Sequence, residues 1–203
     1  MRKLHAKSAL LPEGWTNDVS LAVDASGRIS SVTPKASPDR DAERFGTLLP
    51  APSNLHSHAF QRALAGLTEV RGTGGDDFWS WRETMYAFLP RLGPDEIEAI
   101  AAMLYVELAE SGFAAVAEFH YLHHQPDGSP HDDLAETAGR IAAAASQTDI
   151  GLTLLPVAYA RGGFGGKPVT EGQKRFANTP EALLQLREAA NRHLTRADDI
   201  LGI

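Results

Sequence analysis

There is no cysteine in the 203 residues, which rules out a disulfide framework and a thiolate metal site. Any metal must then be held by His, Asp or Glu. No apolar run approaches the roughly 18 residues of a membrane-spanning helix. Arg2, Lys3 and Lys7 make the N-terminus basic, but no apolar stretch of signal-peptide length follows them. A cytoplasmic protein without membrane contact is the expectation. Positive charge is scarce as well: 19 Lys and Arg against 26 Asp and Glu leave a net charge of −7. Binding to a phosphate backbone calls for a basic face, so nucleic acid is not an expected partner. Short repeats and low-complexity tracts are also missing.

With 43% hydrophobic residues, the chain has enough apolar material for one sizeable core. The first fifty residues read as β-structure. Val19 to Val23 and Ile29 to Val32 are apolar-rich runs separated by Asp24-Ala25-Ser26-Gly27-Arg28, a hairpin turn in which Gly27 takes positive φ. Pro34 to Arg44 reads as an exposed loop. The pattern then changes to alternating helices and strands. Gly93-Pro94-Asp95 starts a helix with Pro at its first position, and Ile97, Ile100, Ala101, Leu104 and Leu108 give it one buried stripe. Ser111-Gly112 ends it.

Phe113 to Phe119 and Leu152 to Ala158 read as buried strands, and Ile200 to Ile203 as the start of another. Asp132 to Ser146, and Thr179-Pro180 to about Leu194, read as helices. Such alternation implies parallel βαβ units. The glycine-rich stretches Gly72 to Gly75 and Gly162 to Gly166 lack a Walker lysine with Ser or Thr, so they read as flexible loops over a site.

His56-Ser57-His58 carries the most chemistry. On a strand, residues i and i+2 share a face, so two imidazoles can reach one ion. The spacing alone also fits two exposed loop histidines. The setting favours the ligand reading, because the pair follows an apolar strand with a Pro-x-x-Asn lead and precedes the βα units.

Three separated segments then resemble the formimidoylglutamate deiminase family of the amidohydrolase superfamily. They are Asn54-Leu55-His56-Ser57-His58-Ala59-Phe60-Gln61-Arg62, Phe78-Trp79-Ser80-Trp81-Arg82, and Glu118-Phe119-His120-Tyr121-Leu122-His123-His124. The resemblance implies an α/β fold: a small β-sandwich segment over residues 1–50, then over 51–203 the N-terminal part of a (β/α)8 TIM-like barrel, about three βα units and a fourth strand. It implies hydrolysis of N-formimidoyl-L-glutamate to N-formyl-L-glutamate and ammonia. Zinc held in part by His56 and His58 would bring water towards a pKa of about 7 for attack on the formimidoyl carbon. Arg82 would grip a carboxylate of this small-molecule substrate, and Gln61 and Tyr121 would donate hydrogen bonds to it. The resemblance also suggests a homodimer.

Each assignment has a plainer counterpart. Arg82 stacks on Trp79 or Trp81, Tyr121 is a half-buried aromatic at a strand end, and Gln61 is solvated. His120, His123 and His124 read as supporting or solvated residues rather than ligands, and Arg161 is within reach of the site without a role assigned to it. The family's remaining ligands, a His near the fifth strand and an Asp after the eighth, have no counterpart here, nor do its acid/base Glu and further catalytic His. The chain therefore holds no catalytic residue of its own, and zinc binding by it should be weak or absent. The expectation is a truncated product or a fragment of a longer enzyme, inactive alone and prone to associate. The alternatives are another amidohydrolase of the guanine or triazine type and a non-catalytic assembly module. A cupin-like barrel is disfavoured by the three long helical patterns after the motif.

Overall fold

Two sheets, each in its own compact unit, make up the computed structural model, which describes residues 1–69 and 77–202. The first unit covers Met1–Ala51 and the second Pro52–Ile203. The stretch Gly72 to Gly75, read above as a flexible loop, lies outside the described residues.

In the first unit, β1 (Arg2–Leu11), β2 (Gly14–Val23), β3 (Ile29–Thr33) and β4 (Glu43–Leu48) form one sheet in the order β3-β2-β1-β4. All its pairings are antiparallel except that of β1 with β4. The turn between β2 and β3 is built as its residues require. The Asp24 carboxylate accepts the Ser26 and Arg28 amides at 2.8 and 3.1 Å, and Gly27 has a φ of 81°. The small core of this β-segment is Ala6, Ala9 and Val19 with Leu11, Leu21 and Leu48 packed against them. The supposed loop up to Arg44 ends inside β4, because pairing with β1 recruits the polar Glu43 and Arg44 into a strand.

The second unit is α/β. β5 (Ser53–Ser57), β6 (Ala115–His120), β7 (Gly151–Pro156) and β8 (Ile200–Leu201) lie side by side in chain order, every pair parallel. Their connections carry α1 (Phe78–Phe88) and α2 (Pro94–Glu110), then α3 (Glu136–Thr148), then α4 (Pro180–Asn191). Three parallel connections and a fourth strand are present; the four strands form an open sheet, not a closed barrel.

Local chemistry explains the helix starts. Pro94 occupies the first position of α2, and the Glu96 carboxylate reaches back to the Gly93 amide at 2.9 Å. Thr179 Oγ1 caps α4 by accepting the Ala182 amide at 3.1 Å. α1 escapes a reading by apolar spacing, yet Asp77 caps it through the Trp79 and Ser80 amides, both at 2.9 Å. Along α2 the buried stripe is Ile97, Ala101, Tyr105 and Leu108, with Ile100 and Leu104 half-buried beside it. Arg140 on α3 bridges to Glu98 and Asp95 at the start of α2, which ties the two helices on one side of the sheet.

Ile97 is fully buried, whereas Leu184 on α4 is 59% exposed. Ile97→Ala should therefore cost about 2–5 kcal/mol through lost transfer energy and a residual cavity. Leu184→Ala should stay within about 0.5 kcal/mol. Urea unfolding of the two variants checks the contrast.

Candidate functional site

The end of β5 is irregular. Its register against β6 shifts between Asn54 and Ser57, where one extra residue is accommodated, and Asn54 Oδ1 accepts the His56 amide at 3.0 Å across the bulge. His58 is not on the strand itself but caps the 3-10 turn Ala59–Leu64. The two histidines thus meet at a strand end, where a bulge re-aims their rings, rather than by simple strand alternation. Their Nε2 atoms are 3.1 Å apart.

The geometry fixes the tautomer of His58. Its Nδ1 lies 2.8 Å from the Phe119 carbonyl oxygen, which can only accept, so Nδ1 carries the proton and Nε2 keeps its lone pair. Burial lowers the pKa of His58, opposed by this bond to Phe119 and helped by the neighbouring His56. The ring is therefore neutral at pH 7. Two nitrogens at about 2.0–2.1 Å from a tetrahedral ion would sit roughly 3.3 Å apart, so the pair fits one metal with little movement. Among the described residues no cluster of three or more His, Asp, Glu or Cys side chains surrounds a common point.

One cleft of about 530 Å3 is lined by His56, His58, Gln61, Arg82 and Tyr121 together with Phe78, Trp81, Met85, Tyr86, Phe119, Val157, Tyr159 and Phe176. All five residues singled out by sequence thus face one space. Gln61 is not simply solvated: its Nε2 donates to the Tyr121 hydroxyl oxygen at 2.8 Å. Burial pushes the Tyr121 phenol up, so it stays protonated. Arg82 stacks on Trp79, with Cζ 4.4 Å from the ring centroid, and not on Trp81. Stacking engages the face of the guanidinium and leaves its N–H edge to the cleft, where it has no partner among the described residues. Arg161 is exposed and does not line the cleft.

The other histidines lie elsewhere and take the supporting rather than the solvated of the two roles expected of them. His120 and His123 are buried, and His120 Nε2 pairs with Thr137 Oγ1 at 3.0 Å. His123 Nε2 and His124 Nε2 donate to the carbonyls of Val157 and Ala177 at 3.2 and 3.0 Å. Burial lowers the pKa of His123 to about 4. These rings brace loops; they do not face the cleft. The stretch Gly162 to Gly166 is likewise a turn closed by the Gly162 amide on the Lys167 carbonyl at 2.8 Å.

A buried carboxylate behind the strand escapes sequence reading, although an acidic residue inside the apolar run of β6 is its signal. Glu118 is 1% exposed and accepts the Ala59 amide at 2.7 Å and the Tyr105 hydroxyl at 3.3 Å. It thereby anchors the backbone that follows His58.

Residues 1–46 match the family described as Formimidoylglutamate deiminase HutF, N-terminal domain. Over all 203 residues the chain is 49% identical to the formimidoylglutamate deiminase of Pseudomonas aeruginosa, covering 45% of that protein. The chain is related to the N-terminal part of the formimidoylglutamate deiminases. It spans about 45% of the length of the relatives it matches. The crystal structure of an amidohydrolase from Brucella melitensis superposes on all of the chain with a TM-score of 0.94 at 47% identity, over 45% of its own length. An atrazine chlorohydrolase variant from Arthrobacter aurescens, solved with zinc and atraton, covers 99% of the chain and 46% of itself. Its TM-score is 0.72 at 18% identity, which establishes a shared fold and nothing finer.

Burial is the main cause that raises the Glu118 pKa to about 7, opposed by its hydrogen-bond donors. A carboxyl whose folded pKa lies above its unfolded value binds its proton more tightly when folded. Its contribution to stability is therefore complete below about pH 4.5 and declines as pH rises to about 7. Glu118→Gln should remove that decline, so that the stability difference between wild type and variant changes by on the order of 3 kcal/mol from pH 4.5 to 7. Chemical denaturation across this range checks the sign.

Proposed function

We propose that this chain supplies the metal-binding and carboxylate-gripping part of a hydrolase that converts N-formimidoyl-L-glutamate and water into N-formyl-L-glutamate and ammonia. The observation that supports this reading is the single cleft onto which His56, His58, Gln61, Arg82 and Tyr121 all open. Its chemistry suits an amidine attached to an acidic body: a cation, neutral donors and a histidine pair line the same space.

His56 and His58 would hold zinc through Nε2, with the Phe119 carbonyl keeping the His58 ring in the required tautomer. When bound, zinc supplies the Lewis acidity that makes water a nucleophile at neutral pH. Arg82 pairs with a substrate carboxylate through its free edge while Trp79 restrains its face. The Tyr121 oxygen is already occupied by the Gln61 amide, so its proton is available to the substrate. The apolar walls, Phe119 and Phe176 among them, exclude water from around these groups. Two histidines are fewer than the three protein ligands that a catalytic zinc site ordinarily uses. This chain's residues bind and orient; proton transfer to the leaving ammonia is assigned to none of them. A flat heterocycle of the guanine or triazine class is the competing substrate, but it would leave the Arg82 charge unanswered.

Grafting this chain in place of the corresponding part of the Pseudomonas aeruginosa relative tests the reading. The graft should release ammonia from N-formimidoyl-L-glutamate, and His58→Ala within it should lower kcat by at least about 100-fold, as for loss of a group that acts on the reacting centre. A folded graft that deaminates guanine and leaves N-formimidoyl-L-glutamate untouched would refute it.

A further inference from the structure

The cleft holds two more phenols to which the reading above gives no task. Tyr86 on α1 and Tyr159 after β7 line it beside Arg82, and both contact one buried side chain, Gln173. Gln173 Nε2 lies 3.1 Å from the Tyr86 hydroxyl and 3.0 Å from that of Tyr159. Its orientation is not ambiguous. Gln173 Oε1 accepts the Thr170 amide at 2.9 Å, and a backbone N–H can only donate, so the other end of the side chain is the NH2 group.

The same nitrogen lies 3.3 Å from the Gly162 carbonyl oxygen, so its two N–H bonds are shared among three acceptors; an amide nitrogen has no lone pair to offer, so neither phenol can give its proton to Gln173. If one phenol donates to the other, the second still has a proton to give. Tyr159 is within hydrogen-bonding reach of Tyr86, which leaves one of the two phenol protons for the cleft. Burial and the adjacent Tyr86 raise the pKa of Tyr159, so its phenol remains protonated at neutral pH. Two glycines make room for the arrangement. A Cβ on Gly172 would come within 2.9 Å of the Tyr86 ring, and one on Gly162 within 2.7 Å of Gln173 Oε1.

We propose that Tyr86 and Tyr159, oriented by Gln173, form with Arg82 a carboxylate-binding subsite that selects dicarboxylate substrates. The inference rests on the function proposed above and adds residues to it. The guanidinium supplies charge and the phenol pair a directed donor; a carboxylate answers both, whereas a neutral ligand leaves the charge of Arg82 unpaired.

Calorimetric titration of the purified chain with N-formimidoyl-L-glutamate, glutarate and guanine separates the outcomes. The double variant Tyr86→Phe/Tyr159→Phe keeps both rings and should bind the two dicarboxylates about tenfold more weakly, as for loss of a hydrogen bond to a charged group. Gly172→Ala, which displaces the Tyr86 ring and its hydroxyl without removing them, should weaken binding in the same direction. Unchanged dicarboxylate affinity in the double variant, with binding lost in Arg82→Met, would overturn the subsite and leave the proposed function standing. A wild-type chain that binds guanine and neither dicarboxylate would overturn both.

Discussion

The hydrogen bond from His58 Nδ1 to the Phe119 carbonyl, 2.8 Å across the ends of β5 and β6, is the interaction on which the rest of the site depends. It decides which nitrogen of His58 carries the proton, and so whether the other can face His56 or an ion. It also requires that the two strands keep their parallel register, that the bulge after Asn54 be retained, and that Phe119 present its carbonyl to His58. Glu118, one residue earlier, holds the Ala59 amide one residue beyond His58. The pair of bonds clamps the end of β5 to β6 from both sides of the strand. A carboxylate with a pKa near 7 is the cost of that second clamp, since it has to be buried to reach the amide.

Much of the cleft's chemistry follows from which backbone group can only donate and which can only accept. The Phe119 carbonyl forces a proton onto His58, the Thr170 amide forces the NH2 of Gln173 onto two phenols, and Gln61 meets Tyr121 in the same way. In each case the side chain nearer the cleft is left with a defined polarity: a lone pair at His58, protons at the tyrosines. Arg82 acts with them as a fixed cation whose face is taken by Trp79. Positive, protic and unprotonated groups therefore share one space, a combination that suits a substrate with an acidic body and an amidine to be hydrolysed.

Local sequence made parts of this legible and left others hidden, for physical reasons. α2 was readable from Ile97, Ala101 and Leu108 at helical spacing and from Pro94 at its start, and the parallel order of β5 to β8 from strands alternating with helices. His56, His58, Gln61, Arg82 and Tyr121 were singled out by resemblance to a family, and they do line one cleft. Within the first fifty residues read as β-structure, β1 has no legible bounds because Arg2, Lys3 and Lys7 interrupt its apolar pattern, and pairing on both edges defines it. α1 was missed because aromatic side chains crowd its first turn, and its Asp77 cap was the cue. The partners of the tyrosines were beyond sequence altogether: Gln173 is 87 residues from Tyr86, and nothing local announces that a buried glutamine will orient it.

The most direct test of the central claim is the long-range proton–nitrogen NMR spectrum of the imidazoles in the purified chain, recorded without and with zinc. The account predicts His58 protonated at Nδ1 at neutral pH, and zinc-induced shifts at the Nε2 nitrogens of His56 and His58 with His120, His123 and His124 unchanged. A His58 protonated at Nε2, or zinc shifts confined to the other histidines, would contradict it.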